Sequence, residues 1–162
     1  MTANWFEAKV RYVKINEDGR ESKVCPSYLL DAMSYTEAEV RIMSEMESVI
    51  SGDYHIGNLK KSNITEVVYS EDENDDRWYK AKVAIIDADE ISGKSKTSFT
   101  YYLVAASNIN RALENLEKAL ATFIVPYEIA SIADTPIVDV YPYISNEEEV
   151  IPENLKPIPE EK

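Results

Sequence analysis

Apolar and polar residues alternate along residues 5–15, with Phe6, Ala8, Val10 and Tyr12 on one side and Trp5, Glu7, Lys9 and Arg11 on the other. A period of two is that of a strand with one buried face. Asn16-Glu17-Asp18-Gly19 follows, a turn in which glycine supplies the positive φ that other residues resist, so a second strand is expected from Glu21 to Ala32. Pro26 has no N–H for the ladder and predicts a bulge or an edge position there. The period then changes. Thr36-Glu37-Ala38-Glu39 reads as a capping box, and Val40, Met43, Met46 and Ile50 recur at helical spacing until Gly52, which predicts a helix over 37–50. Residues 54–63 and 64–69 return to extended sequence, as one long bent strand or two short ones.

The same order then recurs: strands over 78–88 and 95–106 about a turn at 89–93, a helix over 110–124, and extended segments 127–134 and 137–143. Asn110 is the expected N-cap, Leu113, Leu116, Leu120 and Phe123 the inward face, and Pro126 the stop. The residues repeat as well as the pattern. Trp5-Phe6-Glu7-Ala8-Lys9-Val10 returns 73 positions later as Trp78-Tyr79-Lys80-Ala81-Lys82-Val83, and at that offset Tyr28, Leu30, Tyr54 and Ile56 fall on Tyr101, Leu103, Tyr127 and Ile129. Matches in separate blocks at one offset mark a structural unit used twice. The fold predicted is α+β: two tandem β-β-α-β(β) repeats about a pseudo-twofold axis, forming antiparallel sheets with helices on one side and the other face free. The repeats span 4–70 and 77–145, joined by an acidic linker at 71–76 and followed by an acidic, proline-containing tail at 146–162.

Charge changes this picture only once it is located. The net charge is −13, yet residues 1–70 hold 8 basic and 11 acidic groups and residues 77–145 hold 7 and 8. Most of the excess lies in Glu71-Asp72-Glu73-Asn74-Asp75-Asp76, read as a solvated linker, and in the tail, so a locally basic surface is compatible with the overall balance. No apolar run approaches a membrane span, the polar start Met1-Thr2-Ala3-Asn4 leaves no room for a signal peptide, and a single cysteine, Cys25, agrees with a reducing compartment; a bacterial cytoplasmic location is expected.

Enzymatic chemistry finds little to stand on. His55 is the one histidine, and Glu128 takes its place in the second repeat; four glycines leave no glycine-rich phosphate loop, and the acidic run lacks EF-hand spacing. No catalytic residue, metal or cofactor is expected. The outward faces of the first strands are more informative. They present Trp5, Lys9 and Arg11 in one repeat and Trp78, Lys80 and Lys82 in the other, with Tyr12, Lys94 and Lys96 beside them and Lys14, Arg20 and Lys60-Lys61 extending the track. Aromatic rings stack bases and cations neutralise phosphates, a combination suited to single-stranded nucleic acid. A repeated Trp also suits core packing at an interface between the halves.

The blocks Trp5–Tyr12, Tyr35–Glu39, Ile50-Ser51-Gly52, Arg77–Lys82 and Val138-Asp139-Val140-Tyr141-Pro142-Tyr143 resemble a family of proteins of unknown function from anaerobic gut bacteria and their tailed phages, over residues 4–143. That resemblance implies a bacterial or phage cytoplasmic protein and, for phage members, single-stranded DNA binding. The tandem β-rich repeat also resembles Whirly and Pur-type single-strand binders, which place four strands before the helix where this chain has two. The expected function is sequence-tolerant binding of single-stranded DNA in replication or recombination, with replication proteins as partners of the acidic tail and a homo-oligomer as the possible assembly. The alternative is an acidic protein-interaction module, an inhibitor or DNA mimic or a virion or scaffold component, without nucleic-acid binding.

Overall fold

The computed structural model describes residues 4–142; the tail at 146–162 and Tyr143 lie outside them. Alternation in the first repeat produces β1 (Asn4–Ile15), then β2 (Glu21–Val24) and β3 (Ser27–Ala32), which are one strand interrupted at Cys25-Pro26. Pro26 donates nothing there, but its carbonyl accepts from the Val10 N–H at 3.0 Å, so the strand bends without leaving its partner. After α1 (Tyr35–Val49) come β4 (Tyr54–Lys61) and β5 (Ile64–Val68). The second half supplies β6 (Arg77–Ala88), β7 (Ser95–Ala106), α2 (Ile109–Ala119), β8 (Tyr127–Asp134) and β9 (Ile137–Tyr141). Gly19 and Gly93 turn the two hairpins at φ +82° and +73°.

Both helices begin two residues or so before the capping sequences predict. Ser34, not Thr36, caps α1 by accepting from the Glu37 N–H, and Asn108, not Asn110, caps α2 by accepting from the Arg111 N–H at 2.8 Å. The inward faces differ accordingly. Ala38, Ile42 and Met46 are buried while Val40 and Met43 are exposed, and α2 buries Ala112, Asn115 and Leu116 while leaving Leu113 exposed. Alanine at the closest point of each helix lets its backbone approach the sheet, so shape outranks hydrophobic size in choosing the face. Helix α2 also ends at Ala119, before the predicted limit, and Phe123 packs on the core from a turn instead.

The sheets are mixed, which corrects the expectation of antiparallel sheets. One has the order β4-β1-β3-β9 with β2 on the far half of β1, and the other has β8-β6-β7-β5. Each closes on a strand from the other half of the chain: β9 pairs parallel with β3, and β5 pairs parallel with β7. The extended segment 54–69 is therefore two strands in two sheets, split at a corner at Ser62-Asn63.

Helix α1 covers one sheet through Phe6, Ala8, Val10, Tyr28 and Leu30, and α2 covers the other through Tyr79, Ala81, Val83, Tyr102 and Val104. The faces away from the helices are not free. Leu29 and Leu103, of opposite parity to those residues, are fully buried in a third cluster with Ile64, Ile137 and Val140, against which Trp5, Val67, Trp78 and Tyr101 pack. The two sheets meet back to back there, giving a layered order of helix, sheet, sheet, helix.

Arginines on the helices tie down both exchanged strands. Beyond β9, Arg41 of α1 donates to the carbonyls of Asp31, Tyr141 and Pro142. Beyond β5, the run 71–76 is exposed except at Asp75, which is clipped to α2. The Asp75 side chain is 1% exposed and accepts from the Arg111 Nε at 3.2 Å, the Asn115 Nδ2 at 3.2 Å, the Ser107 N–H at 3.1 Å and the Ser70 hydroxyl. Burial works to raise the Asp75 pKa, but hydrogen bonds from Ser70, Arg111 and Asn115 and the Arg111 charge outweigh it and hold the carboxyl below its usual range. A depressed folded-state pKa stabilises above the unfolded value of about 4 and loses that contribution as pH falls through the folded value. Replacing Asp75 with Ala is expected to cost about 2 kcal/mol at neutral pH. Chemical denaturation at neutral pH and near pH 3 should show that cost shrinking on acidification.

Candidate nucleic-acid interface

Strand alternation places Trp5, Glu7, Lys9 and Arg11 of β1, and Trp78, Lys80 and Lys82 of β6, on the faces away from the helices. The tryptophans differ in environment from the cations. Each is half-buried against the third cluster, and each has its carbonyl held by the corner where the chain changes sheet. Trp5 O accepts from the Ser62 N–H and Trp78 O from the Thr135 hydroxyl, both at 2.8 Å. Trp78 also meets Tyr69 edge to face at 6.0 Å between centroids. The rings thus close the ends of the sheet–sheet contact.

Of the cations farther along the strands, Lys9 and Arg11 on β1 are exposed, while Lys80 and Lys82 on β6 are half-buried. On β6, Lys82 lies opposite Tyr101 of β7, and the Lys82 Nζ sits 4.2 Å from the Phe99 ring centroid while the Lys80 Nζ sits 5.0 Å from that of Tyr101. Each ammonium rests on an aromatic face, which stabilises it by about 0.5–1 kcal/mol without neutralising it. Phe99, 50% exposed, and Tyr101 are not among the residues expected from the sequence, where stacking aromatics were sought on the first strand of each repeat. The hairpin register identifies them, because residues paired across an antiparallel ladder share a face.

On β1, Lys9 is exposed opposite Ser27 and Asn58, and Arg11 lies opposite His55 across a bulge that contains Gly57. A Cβ on Gly57 would stand 3.0 Å from the Arg11 Nε, so the missing side chain is what lets the guanidinium lie along the β4 backbone. Tyr12 does not join Lys9 and Arg11; it packs with Tyr54 on the helix side. Lys94 lies in the β6–β7 turn, and Lys96, paired with Asp87, shares the parity of Tyr102 rather than that of Lys82. The structure therefore brings Lys80 and Lys82 together with aromatics, sets Lys9 and Arg11 side by side on the other sheet, and leaves Tyr12 and Lys96 on different faces.

A cleft of about 260 Å³ lies between the two sheets, beside Lys80. Lys60, Lys61 and Lys80 line it from the two sheets, with Ser62, Asn63 and the single carboxylate of Glu7. Ion pairs among the described residues involve Arg20, Arg77 and Arg111; Lys9, Arg11, Lys60, Lys61, Lys80 and Lys82 have no carboxylate within that distance. Among the described residues, no group of three or more His, Cys, Asp or Glu is placed to hold a metal ion. No helix among them is long and apolar enough to cross a membrane.

A family model described as Domain of unknown function (DUF4494) matches residues 4–143. No curated protein and no solved structure matches the chain.

Because each Trp fills the junction between sheets, Trp5→Ala and Trp78→Ala are expected to destabilise the fold by about 2–3 kcal/mol, below the usual cost for a fully buried ring. Urea denaturation checks this. Phe99→Ala, on an exposed site, should change stability by less than about 1 kcal/mol.

Proposed function

The chain belongs to the DUF4494 family, and we propose that it binds single-stranded DNA with little regard to sequence, in the service of replication or recombination. The observation that carries this reading is the pair of lysines set over aromatic rings, Lys80 on Tyr101 and Lys82 on Phe99, on a sheet face where neither meets a carboxylate among the described residues. Bases stack on such rings for about 1–3 kcal/mol each, and only unpaired bases present the face that stacking requires. Lysine contributes charge without a geometric demand on the base, which accounts for tolerance of sequence.

The halves are read as two copies of one unit about a pseudo-twofold axis, each lending a basic sheet face to the bound strand. Lys60, Lys61 and Lys80 lie where a strand would cross from one face to the other. Within the acidic run 71–76, Asp72 and Asp75 are engaged by Arg111, which offsets part of its charge.

Titration with poly(dT), followed through tryptophan fluorescence at about 50 mM salt where phosphate contacts are strongest, tests the reading. Quenching with tight binding is the expected result; absence of both discards single-strand binding. Phe99→Ala should weaken binding roughly tenfold, the equivalent of one lost stacked base. Lys82→Ala should lower the slope of log affinity against log salt by about 0.7.

A further inference from the structure

A second concavity lies beyond Lys9, at the end of β1 where β2 and the start of β4 flank it. This groove, of about 380 Å³, is lined by Arg11, Val13, Lys23, Cys25, Asp53 and His55 among others. The register explains the grouping: Val13 pairs with Lys23 on one side of β1, and Arg11 pairs with His55 on the other. Val13 is 47% exposed and forms an apolar floor, with Arg11 two residues before it on β1 and Lys23 beside it on β2. Neither Arg11 nor Lys23 has a carboxylate at ion-pair distance among the described residues. The volume falls in the range of small-ligand sites.

We infer that this groove takes one nucleobase drawn out of a bound single strand, with the flanking phosphates on Arg11 and Lys23. The inference rests on the single-strand reading above and adds a subsite to it. An aliphatic floor suits the flat face of a base, the two cations suit phosphates on either side of it, and the Asp53 carboxylate is an acceptor for a ring or exocyclic N–H. The second half builds no such site. At the same positions in its sheet, Ala84 replaces Arg11, Ile86 replaces Val13 and Glu128 replaces His55, with Ala84 paired to Glu128. The pocket therefore occurs at one end of the molecule and gives the bound strand a fixed direction.

Cys25 is exposed, lines the groove and is the sole cysteine of the chain, which makes it a reporter of occupancy. The rate of its alkylation by a neutral maleimide is measured on the full chain alone, with saturating dT oligonucleotide, and with an abasic oligonucleotide of equal length. Saturation is established independently from the anisotropy of an end-labelled oligonucleotide. The dT strand should slow alkylation roughly tenfold, as expected for one base held in place, and the abasic strand should leave the rate near that of the free chain. Val13→Glu, at an exposed position, should abolish the protection by dT while the chain still unfolds cooperatively. The inference is overturned if dT saturates the chain without slowing alkylation, or if the abasic strand protects equally. No change in the anisotropy of an end-labelled oligonucleotide of either kind overturns the single-strand reading itself, and the subsite with it.

Discussion

The parallel pairing of β9 with β3 and of β5 with β7 is the constraint on which the remaining structure depends. Each half of the chain ends in a strand that its own sheet does not receive. To deliver these strands, the chain must cross between sheets twice, at Ser62-Asn63 and at Thr135-Pro136, and both crossings can be short only if the sheets lie against one another. Leu29, Leu103, Ile64, Ile137 and Val140 are buried as a result. At about 1.5–3 kcal/mol for a fully buried large aliphatic side chain, this cluster is a substantial part of a marginal stability.

The same constraint fixes where cations can gather. Near the crossings, the faces of the sheets are taken up by Trp5 and Trp78, and only farther along β1 and β6 does the space between the layers open to Lys9, Arg11, Lys80 and Lys82. The duplicated motif thus divides its labour. Its aromatic first residue packs the junction, and its lysines occupy the rim. The two halves then diverge where the bulk solvent begins: Lys60-Lys61 at one crossing corresponds to Ala133-Asp134 at the other, and Asp134 is paired with Arg77 at 2.8 Å. One crossing carries two lysines that make no ion pair among the described residues, the other an ion pair.

Much of the fold was legible because the signals were local. Period-two alternation marks β1 and β6, and the Gly19 and Gly93 turns mark the hairpins. What escaped was non-local. Nothing in residues 64–68 says that their partner is β7 rather than β3, since a short apolar strand carries no address and the pairing is chosen by whole-sheet burial. Asp75 looked like one more charge in a solvated run because its partners, Arg111 and Asn115, lie 36 and 40 residues away. Of the candidate site, Lys80, Lys82, Lys9 and Arg11 followed from parity on a single strand. Phe99 and Tyr101 required the hairpin register, and the groove at Arg11 and Val13 required the bulge at Gly57 and the position of β4.

Reciprocal strand exchange also governs the order in which the chain can be made. Emerging from the ribosome, residues 4–61 can form β1 to β4 and their helix, but the open edge of β3 stays without its neighbour until residues 137–141 have been synthesised. For that interval the chain displays Leu29 and an unsatisfied row of backbone groups, a template for pairing with a second nascent chain. Completion of the first sheet thus waits for the last strand of the described residues, and the folded molecule cannot be assembled half by half.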